Sequence, residues 1–478
     1  MTHDDSPEVH PELRAYADRH RGRADHELKT FDELHQLVAG GQLATVLLGL
    51  PDMQGRLVGK RFDARYFLEH VAAEGTEVCS YLLATDLDMR PLDGYGLASW
   101  QTGYGDIYLQ PDLTAWWPAD RAHRSEEPQK IREVIVLADA RHLKAGPVEV
   151  SPRQVLRRQL RRLEADFGLT VKAGLETEFT LFQGAQDVAL RSLRPLGSHN
   201  SDYALHHPLA LGQFLRELED TLAGAGMPLE AVKTEADPGQ VEVTFRYGPA
   251  LAAADQHVIF KHLTRQAAQW TQNAATFMAA PTTGTSNGLH LHLSLWCGQE
   301  SALIDDGRDA LSRTAQHALG GLVDVLPQLM PLMLPYTNSY KRLAPGSFAP
   351  SRMCWGHDNR AAAVRVVGHG QSLHLEIRIP GADANPYLAL AAALAAIRSG
   401  LERSLPLPEG VTGVDFGQAP RLPRDLPHAL SVFAGSDRAG QLLTPDVVAH
   451  YTRAARHEAD VLAATVTDAE RIRGFARA

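Results

Sequence analysis

The chain has 478 residues, a formal net charge of -10 at pH 7, 44% hydrophobic and 22% charged residues, enough for two domains or one large one whose core needs no covalent staples. The acidic balance excludes general affinity for nucleic acid or an anionic membrane surface, which leaves small molecules as the expected partners. Cys79, Cys297 and Cys354 are widely spaced, which fits a reduced cytoplasmic protein rather than a disulfide framework or a zinc ribbon. The first thirty residues are polar and have no apolar stretch before a small-residue cleavage site, so no secretory signal is expected.

In chain order, the first structured signal is GQLATVLLGLPDMQGRLVGK at 41–60, which alternates apolar and polar residues on both sides of a glycine-containing turn and predicts a hairpin. A mixed, charged stretch follows between Pro118 and Gly146. Ser151 and Pro152 then cap a basic helical run, VLRRQLRRLEADFG. This places a boundary between an N-terminal unit at 30–145 and a larger unit at 146–478. Arg157, Arg158, Arg161 and Arg162 read as a solvated helix face.

Four later segments have a period of two. In GLETEFTLF, Glu176, Glu178 and Thr180 share one face and Leu175, Thr177 and Phe179 the other. EAVKTEADPGQVEVTF reads as two strands around the turn Asp237, Pro238, Gly239, with Glu235 before it and Glu242 after it. LHLHLSL sets four leucines, Leu289 to Leu295, against His290, His292 and Ser294. SLHLEIRIP sets Leu373, Leu375, Ile377 and Ile379 against His374, Glu376 and Arg378. Between the last two lies a stretch with Lys341, Arg342, Arg352, Arg360 and Arg365, whose guanidinium forks match carboxylate and phosphate oxygens. The apolar run from Tyr387 to Ile397, behind Asn385 and Pro386, predicts a buried helix too short to span a bilayer.

Any one of these strands alone reads as an amphipathic strand with a solvated face. Four of them concentrating Glu and His would converge charges that need cations to offset their repulsion. Five Glu with one or two His form a hard, oxygen-rich set that favours Mg²⁺ or Mn²⁺ and metal-assisted phosphoryl transfer. No P-loop or dinucleotide fingerprint is present. The two histidines taken alone also allow a metal hydrolase, without a further His-rich motif to support zinc.

The order E-x-E, E with G-Q-x-E, H-x-H-x-S, N-S-Y-K-R-L-x-P-G, N-R with a later R, E-x-R and N-P-Y-L, spread from about Gly174 to Leu388, resembles glutamine synthetase; GYGDIYLQPD at 103–112 resembles the end of that family's N-terminal domain. The resemblance implies an α+β chain: a small β-grasp domain, then a large catalytic domain with a curved antiparallel sheet flanked by helices. It also implies a homo-oligomeric ring, a dodecamer of two hexamers, with active sites between neighbouring subunits.

By the same resemblance, Glu178, Glu235 and Glu242 would hold one divalent metal and Glu176, His290 and Glu376 a second. Glu230, His292 and Ser294 would contact ATP, Arg360 and Arg365 would stabilise the transferred phosphoryl group, and Arg342, Arg378 and Ser286 would meet glutamate. The implied reaction activates the glutamate γ-carboxylate as an acyl phosphate, which an amine then attacks.

Three departures from the pattern stand out. The flap P-G-x-E reads Pro345, Gly346, Ser347, Phe348 here, so Phe348 replaces the glutamate that serves ammonium and becomes the amine-site candidate. The Asn-Gly pair five and four residues before the first histidine reads Thr285, Ser286, unless the loop is shifted. The regulatory tyrosine aligns with Pro420, so tyrosine adenylylation is not expected. An N-terminal aspartate that assists ammonium aligns with Asp93. These departures resemble the branch that makes γ-glutamyl amides from organic amines. Authentic glutamine synthetase using ammonium and a non-catalytic structural homologue are the alternatives, and the six intact metal positions speak against the second.

Overall fold

The predicted hairpin is formed by β1 (Thr45–Pro51) and β2 (Leu57–Asp63), antiparallel from Thr45 opposite Asp63 to Pro51 opposite Leu57. Asp52 organises its turn: one carboxylate oxygen accepts the Gln54 and Arg56 amides at 2.9 and 2.8 Å, and the other accepts Arg56 Nε at 2.7 Å. Gly55 takes the left-handed position, at φ 76°. With β3 (Thr76–Cys79), β4 (Asp106–Pro118) and β5 (Glu133–His142), the hairpin makes a five-stranded sheet in the order β2-β1-β5-β4-β3. Its central pair, β1 and β5, is parallel, the arrangement of a β-grasp. The computed structural model describes residues 31–119, 131–143, 146–227, 229–305, 308–344 and 347–477. The polar first thirty residues and the flap residues Pro345 and Gly346 lie outside these.

The larger sheet is built from β6 (Thr170–Gln183), β7 (Leu229–Thr234), β8 (Gln240–Phe245), β9 (Gly248–Pro249), β10 (Asn273–Thr276), β11 (Leu289–Cys297), β12 (Glu300–Ser301), β15 (Trp355–His357), β16 (Val364–Val367) and β17 (His374–Ile377), while β13 (Ile304–Asp305) and β14 (Arg308–Leu311) form a separate hairpin. Its main path runs β15-β16-β17-β11-β6-β8-β7 and is antiparallel except at the edge pair β15 and β16. The alternation expected in LHLHLSL is present: Leu289, Leu291, Leu293 and Leu295 are at most 1% exposed on the packed face. Helices Ala250–Trp270 and Pro386–Arg403 pack in the layer behind that face.

The helix Pro386–Arg403 is the centre of the core. Asn385 Oδ1 accepts the Tyr387 amide at 3.1 Å and caps it, and Tyr387 through Ile397 are at most 4% exposed. It meets the helix Arg313–Val325 at Gly321 and Gly400, where a Cβ on either would fall 2.2 and 2.0 Å from a carbonyl oxygen of the other helix. Only glycine permits that approach. Among the described residues no helix is long and apolar enough to cross a membrane.

The basic helix runs Pro152–Phe167, but Ser151 does not cap it with its side chain: its hydroxyl is buried without a hydrogen-bond partner, and Pro152 in the first turn starts the helix instead. Of the face read as solvated, Arg161 and Arg162 are exposed and Arg157 and Arg158 half-buried, whereas the helix's first arginine is buried. Arg153 is 1% exposed and holds Asp112 on β4, Asp139 on β5 and both oxygens of Asp255, at 2.7 to 2.9 Å. Arg157 joins the same Asp112 at 3.0 Å. Tyr387 adds its hydroxyl to Asp255 at 2.7 Å, so one guanidinium ties the small sheet to two helices of the large unit. Asn385 adds bonds to the carbonyls of Asp52 and Met53 at 3.0 and 3.1 Å.

Candidate active site

The strand order lines up the chemical faces read from the sequence. In the register, Arg365 on β16 lies opposite Glu376 on β17, Glu376 opposite His292 on β11, His290 opposite Glu176 on β6, and Glu178 opposite Glu242 on β8. Two groups of donors result. Glu176, His290 and Glu376 offer ligand atoms within 4.8 Å of one another, and so do Glu178, Glu235 and Glu242.

In the first group, His290 Nδ1 is 2.7 Å from Glu176 Oε1 and 3.6 Å from Glu376 Oε1. Burial works against both carboxylates, but the neighbouring imidazoles, and Arg378 beside Glu376, outweigh it and lower both pKa values. Arg365 Nη1 donates to Glu376 Oε2 at 2.9 Å, and Arg378 bonds the other oxygen. In the second group burial dominates. Glu178 is raised although it accepts the Gly288 amide at 2.7 Å and Gln240 Nε2 at 3.0 Å. Glu242 is pushed up to about 10 by burial and then by the charge of Glu176. A carboxyl with that pKa keeps its proton at neutral pH, and a divalent cation beside it would favour the ionised form.

The donor set is five carboxylates and one imidazole without thiolate, hard enough for Mg²⁺ or Mn²⁺. Buried polar atoms around it also lack hydrogen-bond partners, among them Arg342 Nε and Arg378 Nε, while His292 Nε2 stands 3.3 Å from Glu176 Oε2. The residues therefore fit two divalent cations and an anionic ligand.

The other expected site residues are distributed unevenly. Arg342 is 3% exposed, donates through Nη1 to the carbonyls of Arg378 and Ile379 at 3.2 and 3.1 Å, and brings Nη2 to 3.5 Å from His290 Nε2. Burial lowers its pKa to about 10, so it stays charged. The Ser286 amide donates to Asp237 Oδ2 at 3.1 Å and its carbonyl accepts Gln240 Nε2 at 2.6 Å, one residue removed from Glu178. Ser294 accepts Trp296 Nε1 at 2.8 Å. Glu230 sits exposed at the β-bulge of β7. Arg360 is exposed beside Asp358, Phe348 is 78% exposed, and exposed Asp93 accepts the Trp100 amide at 3.0 Å.

Sequence reasoning gave no role to several participants. Asn287 and Gly288 form an Asn-Gly pair two residues nearer the histidine than the pattern demanded. Asn287 Oδ1 accepts Thr180 Oγ1 and Gln240 Nε2, both at 3.1 Å, while a Cβ on Gly288 would meet Arg342 Nη2 at 2.6 Å. The pair was visible in the sequence, and only the offset hid it. His374 lies with Nε2 3.1 Å from His292 Nδ1 and Nδ1 2.7 Å from the Ser372 carbonyl. Lys172 stacks its ammonium 3.7 Å from the Trp296 ring, with exposed Tyr247 nearby. Lys233 reaches into the second acidic group.

Residues 149–473 match the family described as glutamine synthetase, catalytic domain. The chain belongs to the glutamine synthetase family. Among relatives in this family, the gamma-glutamylethanolamide synthetase GlnA4 of Streptomyces coelicolor is 42% identical over 455 residues, covering 93% of this chain and 96% of its own. A glutamate–isopropylamine ligase of a Pseudomonas species is 32% identical over 421 residues, 86% of this chain and 90% of that one. The solved structure of a GmaS/ADP complex superposes with a TM-score of 0.78 at 27% identity, over 92% of this chain and 99% of that one.

Proposed function

We propose that this chain is an ATP-dependent ligase that joins the γ-carboxylate of L-glutamate to a small organic amine. The observation that carries this reading is the convergence of six metal-type donors on one sheet face, in a chain with two near full-length relatives named for amine acceptors. In the reaction a γ-carboxylate oxygen attacks the γ-phosphorus of ATP, the bond to the bridging oxygen breaks, and ADP and γ-glutamyl phosphate form. The amine nitrogen then attacks the acyl carbon and loses a proton, and phosphate leaves with the former carboxylate oxygen.

Glu176, His290 and Glu376 would hold one cation and Glu178, Glu235 and Glu242 the other. Bound Mg²⁺ or Mn²⁺ would offset the charge on the phosphate oxygens. Arg342 and Arg378, buried with unpartnered Nε atoms, are suited to the glutamate carboxylate, together with Ser286. Arg365 is positioned from Glu376, and with Arg360 it would neutralise the moving phosphoryl group. Glu230, His292 and Ser294 would contact the nucleotide, and Phe348 the carbon chain of the amine. We assign the β-grasp unit to 30–145 and the catalytic unit to 146–478, and propose a cytoplasmic dodecamer of two hexamers. The test is phosphate release from ATP with glutamate and a panel of amines that includes ammonium. Release with an alkylamine or ethanolamine above that with ammonium supports the reading, and release with ammonium alone contradicts it.

A further inference from the structure

We propose that Lys233 is a tethered cation that sits in the Glu178, Glu235 and Glu242 group of the metal-free chain and withdraws toward Tyr203 when a divalent cation binds there. The proposal rests on the two-cation reading above. Lys233 lies on β7 directly opposite Glu242 on β8, and two residues before Glu235 on the same face. Its ammonium is bonded to the Glu235 carboxylate, lies 3.5 Å from Glu242 Oε1, and stands 4.5 Å from the centre of the Tyr203 ring. The ammonium meets two kinds of partner at once, the Glu235 and Glu242 carboxyls on one side and an aromatic face that is 68% exposed on the other.

A divalent cation bound to the same oxygens and an ammonium a few ångströms away repel each other, so the two do not share the group without cost. A lysine stem is long and flexible enough to exchange one place for the other, which a planar arginine fork held by two bonds is not. The contrast with the first group supports this. There the cations beside Glu376 are Arg365 and Arg378, and Arg365 is fixed at its other edge by Asp358. Lys233 therefore acts on one metal position and not the other, and makes the two affinities unequal. The lysine keeps the acidic group compensated before the metal arrives and sets a threshold concentration for the second cation.

The experiment is a calorimetric titration of Mn²⁺ into the nucleotide-free full chain, as wild type, Lys233→Met, Lys233→Gln, Tyr203→Ala and Glu178→Gln, with circular dichroism to check the fold. Two binding events per chain are expected. Either Lys233 variant should tighten one of them by about tenfold, the scale of one relieved like-charge contact, and leave the other unchanged. Tyr203→Ala should weaken that same event, and Glu178→Gln should remove it. Two events with constants unmoved or weakened in a folded Lys233 variant overturn the lysine proposal alone. Failure of wild type and both Lys233 variants to bind any Mn²⁺ overturns the two-cation reading and the proposal with it.

Discussion

Glu178 on β6 and Glu242 on β8 are direct cross-strand partners in a half-buried sheet, with Glu235 completing the group. Two buried carboxyls held directly opposite each other do not both ionise without cost, so one of them keeps its proton. Glu242, with its pKa pushed to about 10, is already neutral in the metal-free chain. Glu242→Gln should therefore leave metal-free thermal stability within about 0.5 kcal/mol of wild type while removing ATP turnover. Glu376→Ala should also abolish turnover. Near-normal phosphate release by either at saturating Mg²⁺ would withdraw the ligand assignment.

Gly288→Ala tests the close approach behind the site. Its Cβ would fall 2.6 Å from Arg342 Nη2 and 3.1 Å from His290 Nε2, and both groups must move. A displacement of about 1 Å at reacting groups costs on the order of 100-fold in rate, so kcat/KM for glutamate should fall by about that much with the chain still folded. Wild-type kinetics would show that the Arg342 position is not used.

Arg153→Met should lower unfolding stability by about 3–5 kcal/mol, because it leaves buried Asp255 and its neighbours Asp112 and Asp139 without their shared cation. Chemical denaturation read by the tryptophans of β4 measures this. A loss below about 1 kcal/mol would mean that the network is compensated by Arg157 and water.

His450 supplies a pH dependence. It is buried against Tyr95, ring centres 4.5 Å apart, and near Met53 Sδ at 3.2 Å, and burial lowers its pKa to about 4. The unfolded chain takes up a proton below about pH 6.5 that the folded chain refuses. Stability contributed by the neutral ring is full above that pH and falls by about 1.4 kcal/mol per pH unit down to about pH 4. Melting temperatures of wild type and His450→Gln should converge as the pH drops from 7 to 4.5. A constant difference would contradict the assignment.

Much of this was legible because period-two alternation survives on every strand that carries chemistry: the leucines of β11 fixed its face, so His290 and His292 had to share the other. The buried helix after Asn385 was equally plain. Arg153 was not, because a basic helix reads as solvated until Asp112, Asp139 and Asp255, as many as 102 residues away, are brought around it. His374 was read on the chemical face of its strand but given no role, and Lys233 was passed over, for a similar reason. Their meaning lies in cross-strand neighbours, and no spacing within their own strands announces it.

Phe348 lies 78% exposed where the family pattern carries glutamate. A phenyl ring cannot take the proton of ammonium, whereas packing over an alkylammonium and its carbon chain is worth about 0.5–2 kcal/mol. Phe348→Glu should raise the ratio of ammonium to alkylamine kcat/KM. An unchanged ratio would remove Phe348 from acceptor choice.

The most direct test of the whole reading follows the oxygen atom. The chain is supplied with ATP, Mg²⁺, an alkylamine or ethanolamine and glutamate labelled with ¹⁸O in its γ-carboxylate, and the products are read by mass spectrometry. The γ-glutamyl amide should form together with phosphate carrying one ¹⁸O, since the carboxylate oxygen that attacks phosphorus leaves with it. Unlabelled phosphate, or ATP hydrolysis without any glutamyl amide, would contradict activation of the γ-carboxylate by this chain.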